Sequence, residues 1–428
     1  MRPSTLLFFS LCFFTLIFLE PGSCASEGNL ERMSEMLAEK LRTFEERRLS
    51  HYHTPWKFLE RQSIIEAHEL NFNRTLLNGA TLGPPDGSHV YMLLLVHKKP
   101  HALEHALHAL QMVAGIENAI LVISHDGIYP EVWDLARSIN FTRVKQLIHP
   151  YSPWLKSNRH AFPGDDPIFK SEDSPGVLHG QDTYKHHRDY KFTALKHHWW
   201  WAHSVLFHGK VGLPPAEAVI YLEDDWVFTR DFFLAALSLT RWKEKKCPQC
   251  LTINMGSHKA RGHAQEHMSE HAHSVTLSLP ENLGLIIPKS TWSVLIDNNA
   301  SVFCHWDDYN WDWSLIHAFS LLPGPRASAV AALPRVKHIG HCGLHGGETR
   351  DLPVWNESAC GFETDHKLFS SRPSSKFAED PSRSVPAADE WISAGGKAGI
   401  KGPKTGNGGW GSREDHEHCV AVASGLLF

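Results

Sequence analysis

The apolar run Ala218-Val219-Ile220-Tyr221-Leu222 stops in three consecutive acids, Glu223-Asp224-Asp225. A segment apolar on both faces suits a strand buried within a parallel sheet, and open α/β sheets place ligands at the carboxyl ends of such strands. Adjacent carboxylates repel one another unless water or a cation takes up their charge. The cluster therefore reads either as a solvated turn or as one side of a divalent-cation site.

The flanking sequence supports the sheet. His89–Val96 reads as a buried strand, Ala102–Val113 as a helix and Ala119–Ser124 as a second strand ending in His125-Asp126. Strand, helix, strand in that order begins a parallel sheet with a right-handed crossover. It places His97, Lys98 and Lys99 at one ligand edge and Asp126 at the next, with Asp126 the candidate base or ribose contact. The two lysines read equally well as a solvated turn. Pro84-Pro85-Asp86-Gly87 marks a boundary, and Pro153–Asp189 has the composition of a long surface loop.

A helix follows over Tyr190–Phe207, carrying Lys196-His197-His198-Trp199-Trp200-Trp201. Consecutive Trp side chains cannot share one helix face, and core packing is the expectation for the set. Lys196, a cation in an apolar helix, needs an anionic partner. In His305-Trp306-Asp307-Asp308-Tyr309-Asn310-Trp311-Asp312-Trp313, aromatics alternate with acids. That composition suits stacking on sugar faces with carboxylates for hydroxyls, or simply core Trp beside solvated acids. Val336-Lys337-His338-Ile339-Gly340-His341-Cys342 supplies imidazoles that suit late metal ligands, although an isolated His338 is more often structural. Phe369–Gly409 is rich in Ser, Pro and Gly and reads as a loop.

Within 428 residues, 42% are hydrophobic and 21% charged, enough for a sizeable core. A net charge of −5 gives no field that would draw nucleic acid. Arg2 precedes the uncharged run Thr5–Leu19, the length of a signal segment or short anchor, which directs the chain into the secretory pathway. Sequons at Asn73, Asn140, Asn299 and Asn356 agree with a lumenal chain. Beyond the leader, Cys247, Cys250, Cys304, Cys342, Cys360 and Cys419 form an even set suited to disulfides, and one Cys-x-x-Cys is too little for a zinc ribbon. Gly28–Ser50 reads as a short amphipathic helix that packs on the globular body, its few heptads being thin support for a coiled coil, with self-association of a stem into a homodimer as the alternative. Three regions result: a signal or signal-anchor over 1–25, a stem over 26–85 and a catalytic body over 86–428.

Taken together, Lys196-His-His-Trp-Trp-Trp201, Glu223-Asp-Asp225, Cys247-Pro-Gln-Cys250, Asp307-Asp-Tyr-Asn-Trp-Asp-Trp313, His338-Ile-Gly-His-Cys-Gly343 and Asn407-Gly-Gly-Trp-Gly411 resemble the N-acetylglucosaminyltransferase II family, in the same order from about Leu70 to Cys419. The resemblance implies a GT-A glycosyltransferase fold, an α/β, Rossmann-like mixed sheet flanked by helices. It further implies a type II Golgi membrane protein that transfers GlcNAc from UDP-GlcNAc, with Mn2+, in β-1,2 linkage to the α-1,6-arm mannose of glycoprotein N-glycans. By position, Asp225 and His338 are implied as metal ligands and Asp312 as the catalytic base. Leu95, Val96, His97, Lys98, Lys99, Asp126, Ala194, Leu195, Lys196, His197 and His198 are implied at the donor site, with Arg261 an approximate match to a further donor contact. The implied disulfides are Cys247 with Cys250, Cys304 with Cys419, and Cys342 with Cys360. Lys99 stands where the family usually has Arg, and Ala194-Leu195 where it has Gln-Thr, which bears on the donor. Competing readings are another secretory-pathway transferase, such as the α-1,3-arm enzyme, and a lumenal glycan-binding protein that has lost catalysis.

Overall fold

The computed structural model describes residues 69–84, 87, 89–155, 190–258, 273–308, 310–340, 385, 387–403 and 413–425. All of them belong to the compact unit Gln62–Phe428. The leader, the stem helix, the sequon at Asn356, Arg261 and the Cys342–Cys360 pairing lie outside the described residues.

Strands β1 (Val90–Val96), β2 (Ile120–His125), β3 (Arg143–Ile148) and β4 (Ala218–Glu223) form the parallel half of a mixed sheet. Each is almost wholly buried; the apolar runs of β1, β2 and β4 suit a sheet covered by helices on both faces, whereas β3 buries Arg143, Lys145 and Gln146 among its apolar residues. The other half holds β6 (Cys250–Asn254), β7 (Ser274–Ser278), β8 (Leu285–Pro288), β9 (Ala327–Ala331) and β11 (Ile392–Gly396). Among the described residues the order is β11-β7-β9-β6-β8-β4-β1-β2-β3. Because β8 runs antiparallel to both β4 and β6, and β9 parallel to β6, the carboxyl ends of β1, β2, β4, β6 and β9 share one edge. A small ribbon of β5 (Trp226–Phe228) and β10 (Val336–His338) sits at that edge. The strand β11 falls where a loop was expected over Phe369–Gly409: its exposed Ser and Gly residues lack the apolar alternation that marks a strand, and it pairs only at the sheet margin.

Helices α1 (Pro100–Gln111) and α2 (Pro130–Ser138) each open on Pro at the first position, where the missing N–H costs nothing. Helix α3 (Tyr190–His208) carries the three consecutive Trp residues, all fully buried. Trp199 meets Tyr221 of β4 and Trp311, Trp200 stacks on Phe303 at 4.1 Å, and Trp201 lies 5.2 Å from His149. Three neighbours on three sides explain why this helix shows no polar face: it is enclosed by the sheet, α5 (Lys289–Trp306) and α7 (Arg413–Ala423). Helix α4 (Phe232–Lys246) precedes the Cys247–Cys250 disulfide, and α6 (Trp311–Ser320) follows α5 closely. Cys304 on α5 is bonded to Cys419 on α7.

Residues 69–84, on the far side of the boundary expected at Pro84–Gly87, dock on the edge strand β3. Leu77 bridges Val144, and Arg143 donates to the carbonyls of Leu82, Gly83 and Pro84. Lys145 donates to the carbonyl of Leu70 at 2.9 Å and to that of Asn73. Cationic side chains on β3 thus satisfy main-chain acceptors that the edge would leave bare.

Candidate active site

The acids after β4 are largely withdrawn from water: Asp224 and Asp225 are 6% and 3% exposed. The turn into β5 fixes Asp225, whose carbonyl accepts from Ile339 N–H at 3.0 Å. Antiparallel pairing sets His338 opposite Trp226, one residue beyond Asp225, and His338 Nε2 comes to 3.3 Å from Asp225 Oδ2. The chain then passes so close over the carboxylate that a Cβ on Gly340 would lie 2.7 Å from Asp225 Oδ2. Sequence separation of more than a hundred residues is thereby closed by one short ribbon.

A third group enters from β1. Lys99 is the N-cap residue of α1, makes no side-chain cap, and instead extends Nζ to 3.1 Å from Asp225 Oδ2 and 3.8 Å from Asp224 Oδ1. Burial works to raise the Asp225 carboxyl, but Lys99 and His338 outweigh it and hold the group well below the usual carboxylate range. Glu223 and Asp224 move up instead, driven first by burial. Their charge is opposed by Asp225 as well. Burial alone would lower His338, and its hydrogen bond and attraction to Asp225 raise it above an ordinary imidazole. Tyr221 donates to Glu223 Oε1 at 2.9 Å, which fixes the first acid of the run.

The remaining predicted donor residues are divided by the fold. Leu95 and Val96 are buried in β1, so the edge receives only their main chain. His97 N–H donates to Asp224 Oδ2 at 3.3 Å, and its ring pairs with Asp126 at 2.8 Å. Around that ring stand Tyr129 and Trp154, with centroids 5.2 and 5.1 Å away, and Lys98 lies over the Trp154 ring. These two aromatics pack around the His97 ring that pairs with Asp126 and were not singled out in the sequence, where Trp154 is hidden in a Pro-flanked turn. On α3, Ala194 is buried and Leu195 half-buried. His198 lies 2.8 Å from Ser124 Oγ, and burial pushes its imidazole down to about 4, so it is neutral at pH 7. His197 lies near the ring of His418 on α7.

Lys196, implied at the donor site, has its ammonium among main-chain carbonyls. Its Nζ donates to the carbonyl of Phe303 at 2.6 Å and to that of Asp307, at the C-terminal end of α5. Carbonyls unsatisfied within a helix are strong acceptors for an ammonium, so the anionic partner sought for this cation is a helix terminus. Burial lowers Lys196 to about 8. The clamp holds the connection from α5 to α6, which Ser314 Oγ also braces by donating to the carbonyls of Asp307 and Asn310. Asp312, in the first turn of α6, is half-buried and accepts from Trp313 N–H at 2.8 Å. Burial raises its carboxyl, opposed by that hydrogen bond and by the charge of His258. His258 follows the carboxyl end of β6, which brings the Asp312 region to the same sheet edge as Asp225. Trp313 is 44% exposed beside it, an unusual setting for so large a ring.

No three His, Cys, Asp or Glu side chains converge as a ready ligand set among the described residues. The fit to a divalent cation rests on Asp225 itself: Oδ1 is buried and has no hydrogen-bond donor among the described residues. An unpartnered buried carboxylate oxygen beside an imidazole is a donor pair suited to such an ion, which Asp225 and His338 would hold.

The carboxyl-terminal edge of a mixed α/β sheet flanked by helices gathers buried carboxylates, a His–Asp pair and a helix-borne acid, at the place where open α/β sheets bind their ligands, as an α/β enzyme would. The chain belongs to the N-acetylglucosaminyltransferase II family, whose profile matches residues 64–419. It is 30% identical over 363 residues to the Homo sapiens alpha-1,6-mannosyl-glycoprotein 2-beta-N-acetylglucosaminyltransferase, covering 82% of this chain and 77% of that protein. The Arabidopsis thaliana protein of the same name is 30% identical over 356 residues, covering 78% and 75%. Among solved structures, S. aureus TarS 1-349 in complex with UDP-GlcNAc matches with a TM-score of 0.33 and 10% identity, covering 63% of this chain and 62% of that one.

Proposed function

We propose that this chain transfers GlcNAc from UDP-GlcNAc, with inversion, in β-1,2 linkage to the α-1,6-arm mannose of N-glycans, and that Asp225 and His338 hold Mn2+ for the reaction. The observation that carries the reading is the buried, unpartnered Asp225 Oδ1 facing the edge to which β5 and β10 bring His338. Family membership supplies the reaction class, and relatives named for that transfer supply the acceptor.

A divalent cation bound there supplies Lewis-acid stabilisation of the departing diphosphate. Asp126, with the His97 pair and the Tyr129 and Trp154 rings, suits the nucleoside end of the donor. Asp312 accepts the proton of the mannose 2-hydroxyl while that oxygen bonds to the anomeric carbon on the face opposite the breaking bond to UDP. A raised carboxyl favours this role, because a base is stronger where burial disfavours its charge. Lys196 and Ser314 hold the main chain leading to Asp312 and act on the chemistry through position. Residues 1–25 would anchor the chain in the Golgi membrane as a single-pass type II protein with its catalytic body in the lumen. Among the described residues no helix is long and apolar enough to cross a membrane, and the leader is outside them.

The test is transfer by the full-length chain from UDP-GlcNAc to oligosaccharides offering only an α-1,6-arm or only an α-1,3-arm mannose. Transfer to the first, abolished by chelation and restored by Mn2+, supports the proposal. Transfer to the second alone identifies the sister activity, and glycan binding without turnover identifies a lectin.

A further inference from the structure

Lys99 occupies an uncommon position for a lysine. It is at the N-terminus of α1, where the helix dipole already favours anions over cations, yet its ammonium is directed at the strand-end acids. The side chain is 22% exposed and that of Asp225 is 5%, so the contact is shielded from bulk water and weakly screened by salt. Asp225 Oδ2 consequently has two positive or donating neighbours, Lys99 Nζ and His338 Nε2, while Oδ1 has none among the described residues. A divalent ion that took Asp225 and His338 as ligands would stand close to Nζ, and like charges that near in a poorly solvated site repel strongly.

We propose that Lys99 is a resident counter-cation of the strand-end carboxylates, which a divalent metal must displace from Asp225 and which the donor diphosphate then receives. The inference rests on the reading of Asp225 and His338 as metal ligands. The displaced ammonium needs a new anion, and the N-terminus of α1 beside it is suited to phosphate. A lysine fits the task because its compact charge rides on a flexible four-carbon stem and can move between partners by side-chain rotation. Metal and nucleotide therefore bind as a coupled pair, since each lowers the cost of the other, and the coupling is reciprocal. In this chain Asp225 already has a counter-charge in Lys99 before loading, so free metal is taken up poorly until nucleotide is present.

The experiment measures Mn2+ binding by the loss of the free-ion electron paramagnetic resonance signal, with the full-length chain and no acceptor. Wild type, Lys99→Met, Lys99→Arg and Asp225→Asn are compared with and without UDP. Without UDP, Lys99→Met is expected to bind Mn2+ at least about tenfold more tightly than wild type, because a buried like charge has been removed. Lys99→Arg, which keeps the charge, is expected to stay within about threefold of wild type. UDP should tighten Mn2+ binding by a larger factor in wild type than in Lys99→Met. Lys99→Gln repeats the comparison if Lys99→Met fails to fold, as judged by a lost cooperative melt. Equal or weaker Mn2+ binding in the neutral variants, with binding still dependent on Asp225, overturns the counter-cation role and leaves the metal site standing. Mn2+ binding that is unchanged in Asp225→Asn overturns the metal reading and this inference with it.

Discussion

Trp199 and Trp311 are stacked with ring centroids 4.5 Å apart and an interplanar angle of 8°. Trp199 belongs to the central helix α3 and Trp311 is the residue before Asp312, so the proposed base stands on an indole whose place is set by the core. Trp311→Ala should remove most of a buried aromatic surface and leave a cavity, at a cost of about 3–5 kcal/mol. Equilibrium denaturation measures the loss. Turnover should fall in the fraction that remains folded, since α6 loses the contact that seats its first turn. A change within experimental error would mean that the stack does not hold α6.

The clamp by Lys196 separates two roles that the sequence leaves together. A lysine that neutralised donor phosphates would, on removal, weaken UDP binding. Lys196→Met should instead leave UDP affinity near wild type while turnover drops, because the carbonyls of Phe303 and Asp307 lose the ammonium that ties them together, Asp307 keeping only the Ser314 hydroxyl. Removing a buried hydrogen-bond donor costs about 1–3 kcal/mol, so the melting temperature should fall as well. Calorimetric titration with UDP and a thermal melt make the distinction. A large loss of UDP affinity with unchanged stability would return Lys196 to the donor site.

The contrast between Lys99 and Lys196 shows how much of the site was legible beforehand. Continuous apolar runs made β1, β2 and β4 readable, and the acids after Leu222 marked the edge at which they end. The approach of His338 to Asp225 was open to resemblance but not to local pattern, because it depends on a three-residue ribbon formed between distant segments. In the sequence Lys99 reads equally well as a residue of a solvated turn, and Lys196 as a helix cation in need of an anion. Only packing distinguishes one directed at Asp225 from one directed at main-chain carbonyls. Strand β11 was missed because a margin strand rich in Gly and Ser owes its conformation to its partner β7, and propensity carries little of it. Tyr129 and Trp154 became visible only when the fold stood them around His97.

Burial also sorts the glycosylation sequons. Asn73 and Asn140 are exposed, whereas Asn299 is 7% exposed and donates from Nδ2 to the carbonyl of Ala318 at 3.1 Å. A glycan cannot occupy that space in the folded protein. Mass spectrometry of the folded chain from a secretory host should find Asn299 unmodified, and Asn73→Gln or Asn140→Gln should reduce mass where those sites carry glycan. Substantial occupancy at Asn299 in active protein would contradict the packing of α5 against α6.

Asp312 carries the pH prediction. A base must be ionised to accept a proton, and burial raises this carboxyl above the ordinary value near 3.9. As pH falls through the raised pKa, Asp312 is protonated before an exposed aspartate would be, so the acid limb of kcat/KM should lie at higher pH than the titration of an exposed aspartate. Asp312→Asn should reduce kcat by roughly 10²–10⁴ and remove that limb, while Mn2+ and UDP still bind. The linkage sign gives an independent readout. A carboxyl with a raised folded-state pKa binds its proton more tightly when folded, so above that pKa its ionised form detracts from stability. Asp312→Asn, neutral at every pH, should therefore unfold at the same or higher denaturant concentration than wild type at pH 7. Near-normal turnover in this variant would remove Asp312 as the base, and a marked loss of stability would show that its carboxylate serves the fold instead of the reaction.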